Sequence, residues 1–241
     1  MHPSFEQIDH RPWPLPDEKW QWRQSWYDLC FIHYRIDLSE LRSLIPKDLE
    51  IQEFEGSAWI SIVPFRMFDV SRGKLPSIYP MRSFPELNLP TYVSYQGKPG
   101  VWFFSLDPDC WPIVWGGQKI FGLPYHKANM SLTKEANKIH FTSQRNSVKF
   151  EADYEAIGEA FQAQPASFEH WIAERYCLYS LAPRGLTRVE VHHKAWPLYS
   201  AKVDIKRNDL FSAMNLKVSD ESPRINVSPG VDVVSYKPQL I

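Results

Sequence analysis

A polar set between positions 82 and 127 holds the residue types that do chemistry. Arg82, Glu86 and Asn88 precede a glycine/proline turn, and Ser105, Asp107, Tyr125, His126 and Lys127 follow it. Their neighbours are apolar or aromatic, as in F-P-E-L-N-L-P-T-Y-V and V-W-F-F-S-L-D. A polar group buried there without a partner costs roughly several kcal/mol. The set is therefore expected to be either a structural hydrogen-bond network or a ligand site. Glu86 and Tyr125 are the catalytic candidates: a carboxyl group that transfers a proton, and a phenol that donates a hydrogen bond to a carbonyl or carboxylate oxygen. Arg82, Asn88, Ser105 and His126 are the ligand-binding candidates, with Arg82 suited to gripping an anion. The competing reading is an internal Arg82–Glu86 pair, a backbone-bonded Asn88 and a core tyrosine. Arg82, Glu86 and Asn88 are evenly spaced, so one strand face would present all three. Tyr125 and His126 would then face opposite ways, with Tyr125 inward.

Other candidates carry less. His192 and His193 are adjacent, so on a strand they diverge, and no H-x-H or H-x-x-x-H pattern occurs. No metal is expected. Cys177 reads as core, with a nucleophile as the rival. Glu174 and Arg175 interrupt an aromatic run, which predicts an internal ion pair first and a ligand contact second. There is no G-x-S-x-G, G-x-G-x-x-G or P-loop pattern, so no cofactor is expected.

The elements that must position these residues are strands. The chain has 241 residues, 44% hydrophobic and 15% aromatic, enough for one sizeable core. Twenty prolines disfavour long helices. Residues 1–19 are expected to be an extended surface arm. Strands are predicted from Trp20, over 49–54 and 58–68, on both sides of the turn at 96–100, and repeatedly to Val234. Residues 69–80 and 156–166 read as loops. Short helices are predicted at 38–45, where Asp37 and Glu40 form a capping-box pattern, at 167–172, and near 208–214. Eight or more strands with short helices imply an α+β, mostly antiparallel, closed or nearly closed β-barrel or cone. No repeat or linker divides it, so 1–241 reads as a single domain.

A formal net charge of -1 without like-charge blocks leaves no footprint for nucleic acid. No apolar run approaches a membrane span, and no secretory signal is evident, so no membrane partner is expected. Cys30, Cys110 and Cys177 are odd in number and far apart, which predicts free thiols and a cytoplasmic location.

Several strings, among them R-P-W-P-L-P, W-I-S-I-V-P-F-R-M, F-P-E-L-N-L-P-T-Y-V, F-G-L-P-Y-H-K-A and H-H-K-A-W-P-L, resemble the YqjF-like family of domains of unknown function. That family resembles acetoacetate decarboxylase in fold, which implies a β-cone around a buried pocket. The decarboxylase's Gly-x-Pro-Lys-Lys segment matches Gly122-Leu123-Pro124-Tyr125-His126 here. Both lysines are absent, so the resemblance places Tyr125 at the Schiff-base position without an amine. Lys127 is expected to point away. The resemblance keeps a pocket carboxylate at Glu86.

The functional expectation is an aromatic-lined pocket that binds a small organic molecule, as a cofactor-independent lyase or hydrolase. The alternatives are a non-catalytic binder or sensor, and a homo-oligomeric interaction protein with a filled cavity. A cavity of several hundred Å³, roughly, beside Glu86 would separate the first two from the third.

Overall fold

The computed structural model describes residues 2–241. Period-two alternation of aromatic and β-branched residues produces long strands. They are β1 (Trp22–Ile36), β2 (Glu50–Ile51), β3 (Ala58–Arg72), β4 (Ser83–Tyr95), β5 (Lys98–Pro108), β6 (Asn129–Glu135) and β7 (Lys138–Arg145). There follow β8 (Val148–Phe161), β9 (Cys177–Ala182), β10 (Gly185–His192), β11 (Leu198–Asn208), β12 (Arg224–Ser235) and β13 (Gln239–Leu240). The helices are short: α1 (Leu38–Arg42), α2 (Trp111–Gly116) running into a π turn at Gly117–Phe121, α3 (Phe168–Ala173) and α4 (Leu210–Ala213).

Strand order defines a ring. β10, β9, β5, β4, β3, β1 and β12 pair in sequence, and β12 closes back onto β10 through Val191 opposite Ser235 and His192 opposite Val234. Every pairing in the ring is antiparallel except β5 with β9. From β12 the sheet also continues through β11, β8, β7 and β6. This second arm packs against the ring: Leu87 and Leu89 of β4 share one core with Phe141, Phe150 and Tyr154. A second core holds Leu29, Val63, Phe65, Trp196 and Val231 on the opposite face of the ring strands. The fold is thus mostly antiparallel and ring-like, as the strand-rich pattern implies.

The central hairpin joins β4 to β5 through Gln96 (φ 49°) and Gly97 (φ 77°). Two consecutive positive φ angles match the turn that suits right-twisted strands. It sets Leu89 opposite Ser105 and Leu87 opposite Asp107.

Several expectations change. Residues 49–54 do not form a hairpin with β3. Only Phe54 and Ser57 bridge, and β2 pairs with β4, because β1 and β4 already occupy the two edges of β3. β3 runs on to Arg72 and β8 to Phe161, where loops were expected, since long partners continue to supply hydrogen bonds. Asp37 caps α1 by accepting from the Ser39 N–H at 2.8 Å. Glu40 does not complete the capping box, because it accepts instead from the Lys217 N–H at 3.3 Å. The arm is not simply extended over the surface. Pro3–Glu6 is a 3₁₀ turn with Ser4 fully buried. Buried Glu190 receives the Arg11 guanidinium at 3.2 Å, the Trp13 indole N–H at 2.9 Å and Lys98 at 2.9 Å, tying the arm to the ring-closing strand.

Candidate functional site

The residues of β4 alternate between the two cores. Leu87 and Leu89 enter one, while Glu86, Asn88, Pro90 and Tyr92 line a cavity on the inner side of the ring. The cavity measures about 130 Å³, smaller than the several hundred expected. Aromatic side chains from every quarter of the ring fill the rest of the interior, among them Trp26, Phe31, Phe65 and Trp196. The remaining space holds on the order of four or five water molecules. That is too little for a drug-sized ligand.

Glu86 is 1% exposed, and neither carboxylate oxygen has a hydrogen-bond partner. Its pKa is raised to about 8, chiefly by burial and in smaller part by the nearby Asp107 charge. The Asn88 side chain pulls the other way, without meeting ordinary hydrogen-bond geometry. At neutral pH Glu86 is therefore a neutral carboxylic acid with a proton to donate.

Tyr125 lines the same cavity. It belongs to no strand. A single parallel bridge to Leu106 holds it, made by the Leu106 N–H to Pro124 at 3.1 Å and the His126 N–H to Leu106 at 2.9 Å. The Tyr125 ring lies against Gly117 in the π turn, where any Cβ would overlap it. Burial lifts the phenol well above its ordinary pKa, with the Glu86 carboxylate adding to the lift. Tyr125 is therefore a neutral hydrogen-bonding group.

The remaining sequence candidates scatter. Arg82 is exposed and precedes β4, so it neither lines the cavity nor pairs with Glu86. Ser105 is buried on the opposite face of the hairpin, near Asp107, and borders a shallow cleft with Arg145. His126 points to solvent, with Tyr125 inward. Lys127 pairs with Asp109 and is absent from the cavity wall, which contains no lysine. Arg82 was grouped with Glu86 by strand parity, which fails where a strand has not yet begun, and Ser105 by its place in the polar set after the turn, yet it pairs with Leu89, which faces the other core.

Arg175 is the residue whose role parity could not assign. It is 6% exposed and lines the cavity. Its Nε–H donates to the Trp171 carbonyl at 2.6 Å and Nη1 donates to the Gln52 side chain, while Nη2 is buried without a partner. The guanidinium lies over the Trp171 ring at 4.6 Å and the Tyr92 ring at 5.3 Å. Burial lowers its pKa to about 10, so it stays charged at neutral pH. The expected internal ion pair forms at neither Glu174 nor Arg175. Glu174 accepts instead from the Tyr176 hydroxyl and, at 3.2 Å, from the Trp196 N–H.

His193 also lines the cavity, 1% exposed, with its ring against Tyr176 at 4.8 Å and Trp196 at 5.1 Å. His192 turns the other way, its ring 5.1 Å from that of Phe5. Among the described residues no group of three or more His, Cys, Asp or Glu side chains converges as a metal site would require. Cys177 is fully buried, and burial pushes its thiol up to about 12, which makes it core rather than nucleophile. Cys30 and Cys110 are likewise free and buried.

The mostly antiparallel, ring-like sheet has the acetoacetate decarboxylase-like fold. Acetoacetate decarboxylase from Legionella pneumophila superposes with a TM-score of 0.65 at 17% identity, covering 95% of this chain and 92% of that one. The enduracididine biosynthesis enzyme MppR, complexed with a condensation product of pyruvate and imidazole 4-carboxaldehyde, gives 0.67 at 12% identity over 91% and 88%. An acetoacetate decarboxylase-like enzyme from Sphingomonas wittichii gives 0.62 at 11% identity over 95% and 98%. More specifically, the chain belongs to the DUF2071 family of uncharacterised conserved proteins, whose model matches residues 23–232. The uncharacterised protein YqjF of Bacillus subtilis is 38% identical over 234 residues, 96% of this chain and 97% of its own length.

Proposed function

We propose that this protein binds a short organic acid carrying a carbonyl group and acts on it without a cofactor or Schiff base, as a lyase-type enzyme. The observation that carries the reading is the pairing of two unsatisfied groups in one small apolar cavity: protonated Glu86 and the unpartnered Nη2 of Arg175. An anionic ligand would satisfy the guanidinium, and charge-assisted hydrogen bonds of this kind are strong and directional. A carbonyl or second oxygen would accept from Glu86 or Tyr125. The fold neighbours that are enzymes acting on small acids support the same class of ligand. Three buried free thiols fit the reducing environment of the cytoplasm.

Titration calorimetry with pyruvate, 2-oxobutanoate and acetoacetate tests the reading. The parent protein is expected to bind at least one of them, and Arg175→Met to bind it ~10–100-fold more weakly, as loss of a charge-assisted bond implies. Equal binding by Arg175→Met would remove the anion site. A non-catalytic role in self-association is the second reading, and exposed Trp111 (66%) and Trp115 (63%) on α2 favour it. They are large aromatic groups left on the surface beside the segment that carries Tyr125.

A further inference from the structure

His193 is inside the cavity for a chemical reason that its sequence context did not show. Its Nδ1 lies 2.7 Å from the Lys194 carbonyl oxygen. A carbonyl oxygen only accepts, so Nδ1 must carry the hydrogen. The neutral ring therefore has its lone pair on Nε2. Among the described residues Nε2 has no hydrogen-bond partner, although the residue is 1% exposed and lines the cavity with Glu86 and Arg175. Two aromatic rings of the cavity wall stand between the acid and the imidazole. Glu86 pairs across the sheet with Phe65, Phe65 contacts Trp26 at 6.5 Å, and Trp26 contacts His193 at 6.0 Å.

The groups around the imidazole favour its neutral form, with the Nε2 lone pair free of a proton. Burial lowers its pKa from the ordinary value, Glu174 raises it, and His10 and Arg11 of the arm lower it. Tyr176 and Trp196 supply the flanking aromatic faces, and His10 holds the His193 carbonyl at 2.9 Å. His192, the last residue of β10, faces away.

We infer that His193 is the general base of a lysine-free enolisation in this cavity, with Glu86 as the general acid. The inference rests on the short-acid reading of the cavity. Nε2 takes a proton from the carbon next to the ligand's carbonyl. The C–H electron pair becomes a C=C bond, and the carbonyl π pair moves to oxygen, which takes the Glu86 proton. The products are an enol, an imidazolium and a carboxylate, with charge and atoms conserved. Reversal after the imidazolium exchanges its proton with water returns the ligand with a solvent hydrogen at that carbon. Arg175 holds the ligand's carboxylate through the exchange. This chemistry uses an acid and a base of separate residues where a Schiff-base enzyme uses one amine, and it explains how the cavity functions without a lysine.

The test is hydrogen–deuterium exchange at C3 of pyruvate and 2-oxobutanoate, followed by proton NMR in deuterated buffer, alongside calorimetric binding. The parent is expected to exchange at least ~100-fold faster than buffer, in the range general acid–base catalysis supplies. His193→Asn keeps a side-chain amide able to donate to the Lys194 carbonyl but removes the base. It is expected to bind the probe within about threefold of the parent and to lose ~100-fold in exchange. Glu86→Gln is expected to lose exchange while still binding. The parent's exchange rate should rise as the imidazole deprotonates below its ordinary pKa of 6.5 and fall above about 8 as Glu86 ionises. Exchange by His193→Asn at the parent rate overturns the assignment, as does a bound probe that never exchanges; both leave the binding reading standing. Failure of every probe to bind overturns both.

Discussion

In the folded protein Glu86 holds a proton at pH 7 that the same residue would release in the unfolded chain. Its folded pKa is about 8, raised by burial from an unfolded value near 4.5. The folded state therefore binds more protons than the unfolded state between those values, so stability falls as pH rises through that window. A tenfold difference in proton affinity between the two states is worth about 1.4 kcal/mol. Glu86→Gln removes the titration. Denaturant melts from about pH 5 to 9 are expected to show the parent losing roughly 2–4 kcal/mol that the variant retains. Parallel pH slopes for the two proteins would mean that Glu86 is ionised and paired. The same proton is the one the proposed chemistry uses, so one residue ties the stability profile to the activity profile.

At the scale of an element, Tyr125 depends on a glycine eight residues upstream. Gly117 sits in the π turn, has an ordinary helical backbone, and leaves room that the Tyr125 ring occupies. Alanine would be favoured there by helix propensity, yet its Cβ would overlap the ring. Gly117→Ala is expected to destabilise by about 1–3 kcal/mol, as overpacking does, and to shift the Tyr125 resonances in a tyrosine-labelled NMR spectrum. A more stable variant with unchanged Tyr125 signals would show that the ring moves freely. The arm illustrates the same dependence at longer range. Arg11 and Trp13 reach Glu190 on β10, so residues far apart in sequence set the wall on which His193 sits.

For the whole molecule, closure of the ring by β10 and β12 removes sheet edges there, and α2 presents one of the exposed apolar surfaces that remain. Trp111 and Trp115 are exposed beside Ile120, and such patches are often interaction sites. A homo-oligomeric interface on this face is expected to be visible as concentration-dependent sedimentation. Trp111→Ser with Trp115→Ser should then shift the protein toward monomer by tenfold or more in dissociation constant. Identical sedimentation of parent and double variant would exclude α2 as the interface.

Much of the architecture follows from the sequence itself. Period-two alternation in β4 and β5, with Gly97 between them, dictates a hairpin, and proline and polar punctuation limit the helices to a few turns. The absence of both lysines after Pro124 likewise excludes an amine at that place. Local pattern could not decide which polar residues meet. Strand parity grouped Arg82 with Glu86, yet Arg82 precedes the strand and faces solvent. Nearness in sequence put Ser105 with the site, yet it lies on the opposite face of β5. Arg175 and His193 enter the cavity because β9 closes on β5 and β10 on β12, pairings between residues about 40 to 80 positions apart. Short-range periodicity carries information about which face a residue takes, but only ring closure determines which faces look at one another. The cavity, its unpaired cation and its free imidazole nitrogen are consequences of that closure.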